Sequence, residues 1–111
     1  MPNLTAYTRN GSGDVVVTLH GEIDLATAQE LEDALRQGLE EARRRLVVDL
    51  RALQFVDSTG LSVLMRLDRH ARDSARQLVV VKGPPEIQRV FDITGVSDML
   101  TMVDEPPAEG D

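Results

Sequence analysis

The spacing of apolar residues changes in the middle of the chain, from a strand pattern to a helix pattern. Residues 46–50 form a short apolar run with β-branched residues, which is typical of a strand covered on both faces of a sheet. From residue 61 to residue 75 apolar positions recur at helical intervals, which predicts a helix. The turn between these segments therefore delivers Ser58 to a helix N-terminus.

The first third of the chain predicts a hairpin followed by a helix. Residues 4–8 and 15–20 have strand character, and the turn at 10–14 is rich in residues that tolerate positive φ, which predicts antiparallel pairing. Thr27 with Glu30 three residues later is a capping-box signature for the next helix. That helix has a predicted buried stripe of Leu31, Leu35, Leu39 and Ala42.

Three consecutive arginines, Arg43, Arg44 and Arg45, follow this helix. Cations suit the negative end of a helix dipole, so we interpret them as a solvated structural cluster rather than a phosphate site.

The second half of the chain alternates strands with helices. Residues 77–82 predict a strand, residues 87–94 a short helix, and residues 99–103 a weaker last strand or edge element. Strands separated by helices need right-handed crossovers and parallel pairing. We therefore expect a single α/β domain over residues 1–103: a mixed four- to five-stranded sheet with an N-terminal β-hairpin and parallel central strands, flanked by helices. The acidic tail at 104–111 contains prolines and is expected to be disordered.

Composition and charge exclude several classes of function. The 111 residues carry 12 Lys and Arg against 19 Asp and Glu, a net charge of -7, which repels nucleic acid and anionic lipid. The absence of cysteine rules out disulfides and thiolate metal sites. No apolar run approaches the roughly 20 residues of a membrane span, and the N-terminus lacks a signal-peptide layout. We expect a cytoplasmic protein that contacts neither nucleic acid nor membrane directly.

The turn before the central helix carries more capping side chains than one helix needs. Asp57, Ser58 and Thr59 are three candidate caps where one suffices. The surplus hydroxyl lies on a loop that leaves the carboxyl end of a predicted parallel strand, where α/β proteins place functional groups. A phosphate added there would face free backbone N–H groups of the helix.

Two kinds of catalysis are weighed at this turn and disfavoured. A serine hydrolase elbow needs glycine where this chain has Val56. His70 lies about 18 Å along the helix from Ser58, and His20 has no evident orienting partner, so neither is a plausible base. Both histidines are interpreted as surface or structural residues.

A receiver domain that accepts phosphate on Asp57 would need further carboxylates after the first strand to hold Mg²⁺. Asp14 precedes its strand, and Glu22 and Asp24 do not form an adjacent pair, so this pattern is absent.

The first turns of the central helix are apolar nearly all round. Leu61, Val63, Leu64, Met65 and Leu67 cannot all face one sheet. Either some apolar surface near Ser58 is left for a partner, or the helix is buried between the sheet and a neighbouring helix.

Three motifs together resemble one known family. Gly21-Glu22-Ile23-Asp24, then Val48-Asp49-Leu50, then Phe55-Val56-Asp57-Ser58-Thr59-Gly60-Leu61 look like the bacterial anti-sigma factor antagonists, the small single-domain STAS proteins. The resemblance covers residues 4–103 and implies the STAS fold, a mixed sheet flanked by helices.

The resemblance also implies a function for the turn. Ser58 matches the serine that is phosphorylated by the anti-sigma factor, an ATP-dependent serine kinase, and a serine phosphatase would remove that phosphate. The positions that match the docking loop are Asp57, Thr59, Gly60 and Leu61. Asp24 matches an acidic residue beside the phosphorylation site, although helix capping or turn formation is an equal alternative for it.

By this resemblance the protein is not an enzyme and needs no cofactor or metal. Unphosphorylated protein would bind the anti-sigma factor and free the sigma factor, and phosphorylation of Ser58 would end that binding. The alternative is a STAS-type scaffold or a subunit of a stress-signalling or transport complex without a phospho-switch.

Overall fold

Six strands, three α-helices and one 3-10 turn make up residues 3–108, the part of the chain that the computed structural model describes. In chain order they are β1 Leu4–Asn10, β2 Asp14–Ile23, α1 Ala28–Glu41, β3 Arg45–Asp49, β4 Leu53–Val56, α2 Ser58–Asp73, β5 Gln77–Val81, α3 Pro85–Ile93, the 3-10 turn Val96–Asp98 and β6 Thr101–Val103.

The strands form one mixed sheet in the order β1-β2-β3-β5-β6, with β4 attached to the end of β2. The β1–β2 pair is an antiparallel hairpin, and every other pair is parallel. The predicted mixed α/β fold, with its hairpin and its parallel central strands, is confirmed.

Strand β4 is the element that sequence patterning missed, and it raises the strand count to six, one above the predicted upper limit. It has four residues, of which Leu53 and Val56 are buried and the two between are exposed. This pattern neither alternates nor forms a continuous apolar run, so the sequence alone indicates a turn rather than a strand for these four residues.

The pairing of β2 with β3 ends at Thr18, and from Gly21 onward β2 pairs with β4 instead. The register shifts between Gly21 and Glu22, and Gly21 has a φ of +109°, which L-residues other than glycine rarely adopt. A Cβ on Gly21 would lie 2.2 Å from the carbonyl oxygen of Asn3. This glycine therefore lets β2 bend between its two sets of partners.

All three helices bury residues against one face of the sheet. The predicted stripe of α1 is buried there together with Leu61, Leu64 and Leu67 of α2 and Phe91 of α3. The sheet supplies alternate residues of its central strands to the same core: Val15, Val17, Leu19, Leu46, Val48, Leu78 and Val80.

The opposite face carries a smaller cluster of four valines, Val16, Val47, Val79 and Val81. Residues 104–108 run along it. The Asp104 carboxylate lies 3.5 Å from Lys82 Nζ, just beyond the end of β5. The Ala108 carbonyl accepts a 3.5 Å hydrogen bond from Arg45 at the start of β3. Residues 109–111 lie outside the described residues, and the disorder predicted for 104–111 stays a prediction.

The arginine cluster is not the solvated helix end that the sequence suggested. Arg45 belongs to β3, and its guanidinium lies 2.7 Å from the buried carboxylate of Asp14, which Arg44 also contacts at 3.3 Å. Burial raises the pKa of Asp14, but the hydrogen bonds and charges of Arg45 and Arg44 outweigh that effect and hold its pKa below the ordinary value. The pattern missed this pairing because Asp14 lies on a different strand.

Candidate functional site

The loops that leave β2 and β4 lie side by side at the carboxyl edge of the sheet. Ile23 pairs with Val56 in parallel register, and the Asp57 amide donates a 3.1 Å hydrogen bond to the Ile23 carbonyl. The next residues on each strand are therefore neighbours. Asp24 and Asp57, which follow Ile23 and Val56, therefore start neighbouring loops.

Asp57 is the cap of α2. Its Oδ1 accepts hydrogen bonds from the amides of Thr59 at 2.9 Å and Gly60 at 3.2 Å. Two of the free N–H groups at the helix start are thus satisfied by one carboxylate. Ser58 becomes the first helical residue rather than the cap.

The Ser58 hydroxyl has no structural role within residues 3–108. Ser58 is exposed, and its Oγ makes no hydrogen bond to any residue in that range, either histidine included. Only its backbone carbonyl is engaged, by the Ser62 hydroxyl at 3.0 Å. The surplus hydroxyl expected from the sequence is therefore free at the helix N-terminus.

Gly60 sets how closely α2 approaches β2. It is buried, and a Cβ at this position would lie 2.3 Å from Ile23 Cγ2 and 3.1 Å from Val56 Cγ2. Leu61 beside it is also buried and belongs to the core. Of the four residues that match the docking loop, Gly60 and Leu61 are buried beneath the turn, and Thr59 is half-buried.

Asp24 forms the turn that follows β2. Its Oδ1 accepts from the Thr27 amide at 3.1 Å, and its own amide donates to Thr27 Oγ1 at 3.0 Å. The Thr27 hydroxyl also donates to the Glu22 carbonyl at 2.9 Å. The turn-forming role weighed for Asp24 is therefore present.

The capping box predicted at Thr27 and Glu30 does not form. Thr27 precedes α1 but its side chain makes no cap hydrogen bond to that helix. The hydroxyl is already bonded to Asp24 in the preceding turn and to Glu22 near the end of β2, so it is not available as a cap.

Exposed apolar side chains flank the acidic turn, and sequence reasoning did not single them out. Leu25 is 79% exposed and Phe55 is 47% exposed. Phe55 pairs with Glu22 in the β2–β4 register. Of the two alternatives for the first turns of α2, burial of the helix holds for Leu61, Val63, Leu64 and Leu67, so they leave little apolar surface for a partner. The signal available for Phe55 is a large apolar residue in the same motif as Ser58.

The groups required by the two catalytic alternatives are not assembled at this site. His20 packs its ring edge-to-face on Tyr7, with a centroid distance of 5.0 Å. Asp14 lies at the opposite end of β2 from the site and is paired with arginines. Within residues 3–108 no group of three or more acidic, histidine or cysteine side chains is placed to hold a metal ion. No helix in that range has the length and apolarity needed to cross a bilayer.

Comparison with known proteins places this geometry among anti-sigma factor antagonists. The family model described as Mlab, STAS domain, matches residues 7–103. An anti-sigma-B factor antagonist of Staphylococcus aureus is 29% identical over 98 residues, which cover 88% of this chain and 91% of that protein. The crystal structure of an anti-sigma factor antagonist from Mycobacterium paratuberculosis superposes with a TM-score of 0.82 at 28% identity, over 92% of this chain and 86% of that one.

SpoIIAA, a Bacillus cell fate determinant and anti-sigma factor antagonist, shares the fold in two states. Its unphosphorylated form has a TM-score of 0.74 at 17% identity and covers 91% of this chain and 90% of its own. Its phosphorylated form has a TM-score of 0.67 at 18% identity, over 91% and 93%.

Proposed function

This chain belongs to the STAS domain family, and we propose that it is an anti-sigma factor antagonist switched by phosphorylation of Ser58. Unphosphorylated protein binds an anti-sigma factor that is also a serine kinase, and so frees a sigma factor. The observation that carries this proposal is the difference between Asp57 and Ser58 at the start of α2. Asp57 caps the helix, which leaves the exposed Ser58 hydroxyl free to accept a phosphate.

The position of Ser58 suits a phosphoacceptor. A phosphoryl group on its Oγ would sit at a helix N-terminus, where backbone N–H groups and the helix dipole favour negative charge. Because the hydroxyl makes no hydrogen bond within residues 3–108, phosphorylation breaks no contact of that part of the fold. That the structural neighbour SpoIIAA has a phosphorylated form is consistent with such a switch.

The docking surface consists of the acidic turn and its apolar flanks. Asp24, Asp57, Ser58 and Thr59 form the centre, and Leu25 and Phe55 supply exposed apolar area beside it. Gly60 and Leu61 hold the turn against β2. A partner surface that matches this region needs basic groups around an apolar contact.

Phosphorylation acts on the interface rather than on the fold. It adds about 1.5 to 2 negative charges beside Asp24 and Asp57, on a surface already acidic. Those charges would have to be desolvated against the partner, which weakens binding. A serine phosphatase resets the switch, and the cycle operates in the cytoplasm, where sigma factors join RNA polymerase.

The test is phosphorylation by purified anti-sigma factors of the source organism, each incubated with this protein and ATP. We expect one of them to bind the unphosphorylated chain and to add a single phosphate, mapped to Ser58 by peptide mass spectrometry. A phosphate mapped to Thr59 would refute the assignment of the acceptor. Equal binding of phosphorylated and unphosphorylated protein would favour the constitutive STAS scaffold instead, and failure to bind any anti-sigma factor would reject the proposal.

A further inference from the structure

The exposed side of α2 continues well beyond Ser58. Helical spacing places Ser62, Met65, Arg69 and Arg72 on the same side of the helix as Ser58. Arg69 lies about 16 Å along the helix axis from Ser58, at a rise of about 1.5 Å per residue. A protein docked on the Ser58 turn can therefore reach this stretch without a second interface elsewhere.

A groove of about 630 Å³ runs beside this stretch of α2. Met65, Arg69 and Arg72 line one wall, and Met99 and Leu100, which follow the 3-10 turn, line the other. In this second wall Leu100 is almost buried, with 8% exposure, whereas Met99 is 62% exposed. Methionine side chains are flexible and polarizable, and they occur often at surfaces that adapt to a bound segment.

The rim of the groove is basic although the whole chain carries a net charge of -7. Arg66 is paired with Glu32, and Arg72 lies 3.2 Å from the carboxylate of Asp68. Arg69 forms no ion pair with any residue in the range 3–108 and is exposed. Within the described residues, the guanidinium of Arg69 therefore has no acidic partner, and it lines the groove together with apolar side chains.

We propose that this groove binds an acidic, apolar segment of the same anti-sigma factor that docks on the Ser58 turn, an inference that rests on the function proposed above. Arg69 pairs with an acidic side chain of that segment, and Met65, Met99 and Leu100 contact its apolar neighbours. The docking surface then has two ends of opposite charge along α2: an acidic end at Asp24 and Asp57, and a basic end at Arg69. Only a partner with the reversed arrangement of charges fits both ends, and this fixes its orientation.

Another acidic segment, the chain's own residues 104–108, does not occupy this groove. It lies on the opposite face of the sheet, held by Lys82 and Arg45. A second copy of the chain is the remaining occupant to test.

Cysteine footprinting locates the contact directly, because the chain has no cysteine of its own. Single variants Met99→Cys, Leu25→Cys and Arg43→Cys report on the groove, the Ser58 turn and the opposite end of the molecule. On addition of the purified anti-sigma factor that phosphorylates Ser58, we expect alkylation by iodoacetamide to slow at least about fivefold at positions 99 and 25 and to stay unchanged at 43. Protection at 25 without protection at 99 overturns the groove proposal alone.

Charge reversal supplies the energetic test. Arg69→Glu should weaken binding to the same anti-sigma factor by about tenfold at low salt and by less at high salt, since the effect is electrostatic. The control Arg43→Glu reverses the charge of another exposed arginine, which lies outside the groove, and should change affinity less than about twofold. Equal affinities for Arg69→Glu and the unmodified chain overturn the proposal.

Two further outcomes are distinguishable. Protection of the Met99→Cys variant by increasing concentrations of the chain alone shows that a second copy occupies the groove, which overturns the proposal. Loss of protection at both 99 and 25, with no measurable affinity of the unmodified chain, rejects the proposed function as well.

Discussion

Adjacent residues at the start of α2 differ in their hydrogen bonding. Asp57 satisfies the amides of Thr59 and Gly60, while Ser58 keeps its hydroxyl exposed. On the other loop, Asp24 and Thr27 bond to each other reciprocally and hold a second carboxylate near Ser58.

Substitution of Asp57 should show how much the N-cap of α2 contributes to the stability of the fold. Asp57→Ala removes the acceptor for two amides and should lower the free energy of unfolding by about 1 kcal/mol, the usual value of an N-cap. Asp57→Asn retains an acceptor oxygen and is the matched control, with most of the stability preserved. Urea unfolding measures both, and an alanine variant as stable as the unmodified chain would show that the cap is unimportant.

Substitution of Ser58 should change binding without changing the fold. Ser58→Ala removes a hydroxyl that makes no hydrogen bond within residues 3–108, so the free energy of unfolding should change by less than about 0.5 kcal/mol and binding should persist. Ser58→Asp should stay folded because a carboxylate suits a helix N-terminus. It should nevertheless weaken binding to the anti-sigma factor by about 1 to 3 kcal/mol, since it adds an uncompensated interfacial charge.

Circular dichroism and calorimetric titration check both Ser58 variants. In cells the alanine variant should behave as a permanently active antagonist and the aspartate variant as an inactive one. Equal affinity of two folded variants would remove charge at Ser58 as the switch.

At the scale of elements, the site depends on how closely the first turn of α2 packs against the end of β2. Gly21 lets β2 turn from β3 toward β4, and Gly60 lets the first turn of α2 touch Ile23. The two loops meet because these contacts are close. The Ser58 turn is thus contacted by a helix and two strands.

Gly60→Ala tests this packing. Alanine would favour the helix by about 1 kcal/mol, but its Cβ would lie 2.3 Å from Ile23 Cγ2 on a buried strand that has little room to move. Overpacking of this kind costs about 1 to 3 kcal/mol, so the net effect should be destabilising. Ser62→Ala, at an exposed site in the same helix, is the control and should stay within about 0.5 kcal/mol of the unmodified chain. A more stable Gly60→Ala variant would contradict the close contact.

At the scale of the whole molecule, the two faces of the sheet are covered differently. Three helices cover one face, while the other carries the four valines, with Val103 packed against them and residues 104–108 in contact with Lys82 and Arg45. The charged pairs there include Arg45 with Asp14 and Arg51 with Asp49. This second face combines a small apolar cluster with partly buried ion pairs.

Deletion of residues 104–111 tests the contribution of the tail. Disorder of the whole tail, as the sequence predicts, would leave stability unchanged on deletion. The contacts of 104–108 with Lys82 and Arg45 instead lead us to expect a loss of about 1 kcal/mol or more, because Val47, Val79 and their neighbours gain exposure to water. Urea unfolding and light scattering measure the loss and any self-association. A control chain that keeps the tail length and its acidic residues but replaces both prolines and Ala108 with glycine and serine separates apolar contact from charge.

The pairing of Asp14 should make stability depend on pH in the acidic range. Its folded pKa is below its ordinary value, so near that value the unfolded chain binds more protons than the folded one. The stabilisation is therefore present above the unfolded pKa of about 3.9 and is lost as pH falls through the folded pKa. Asp14→Asn should be less stable at neutral pH and should show a smaller decrease on acidification, in urea unfolding from about pH 7 to about pH 3.

Asp73→Asn is the control for this pH dependence, because it removes an exposed carboxylate and should keep the pH profile of the unmodified chain. The same profile in Asp14→Asn would show that the ion pair with Arg45 does not contribute. Asp49 also has a lowered pKa, in which burial raises the value and Arg51 more than offsets it, so part of the acid sensitivity should remain.

Local patterning was sufficient for the hairpin, the three helices, the parallel strands and the position of Ser58 at the start of α2. These features depend on residues close together in the chain, whose apolar period of two or 3.6 is visible without a partner. Strand β4, the pairing of Arg45 and the approach of Asp24 to Asp57 depend instead on contacts between segments that are distant in the chain. The role of Thr27 is local, but its hydroxyl can serve either the preceding turn or the helix, and the pattern does not distinguish the two. The registers of β2 with β3 and with β4 decide these contacts, and no local pattern encodes which residue of one strand faces which residue of another.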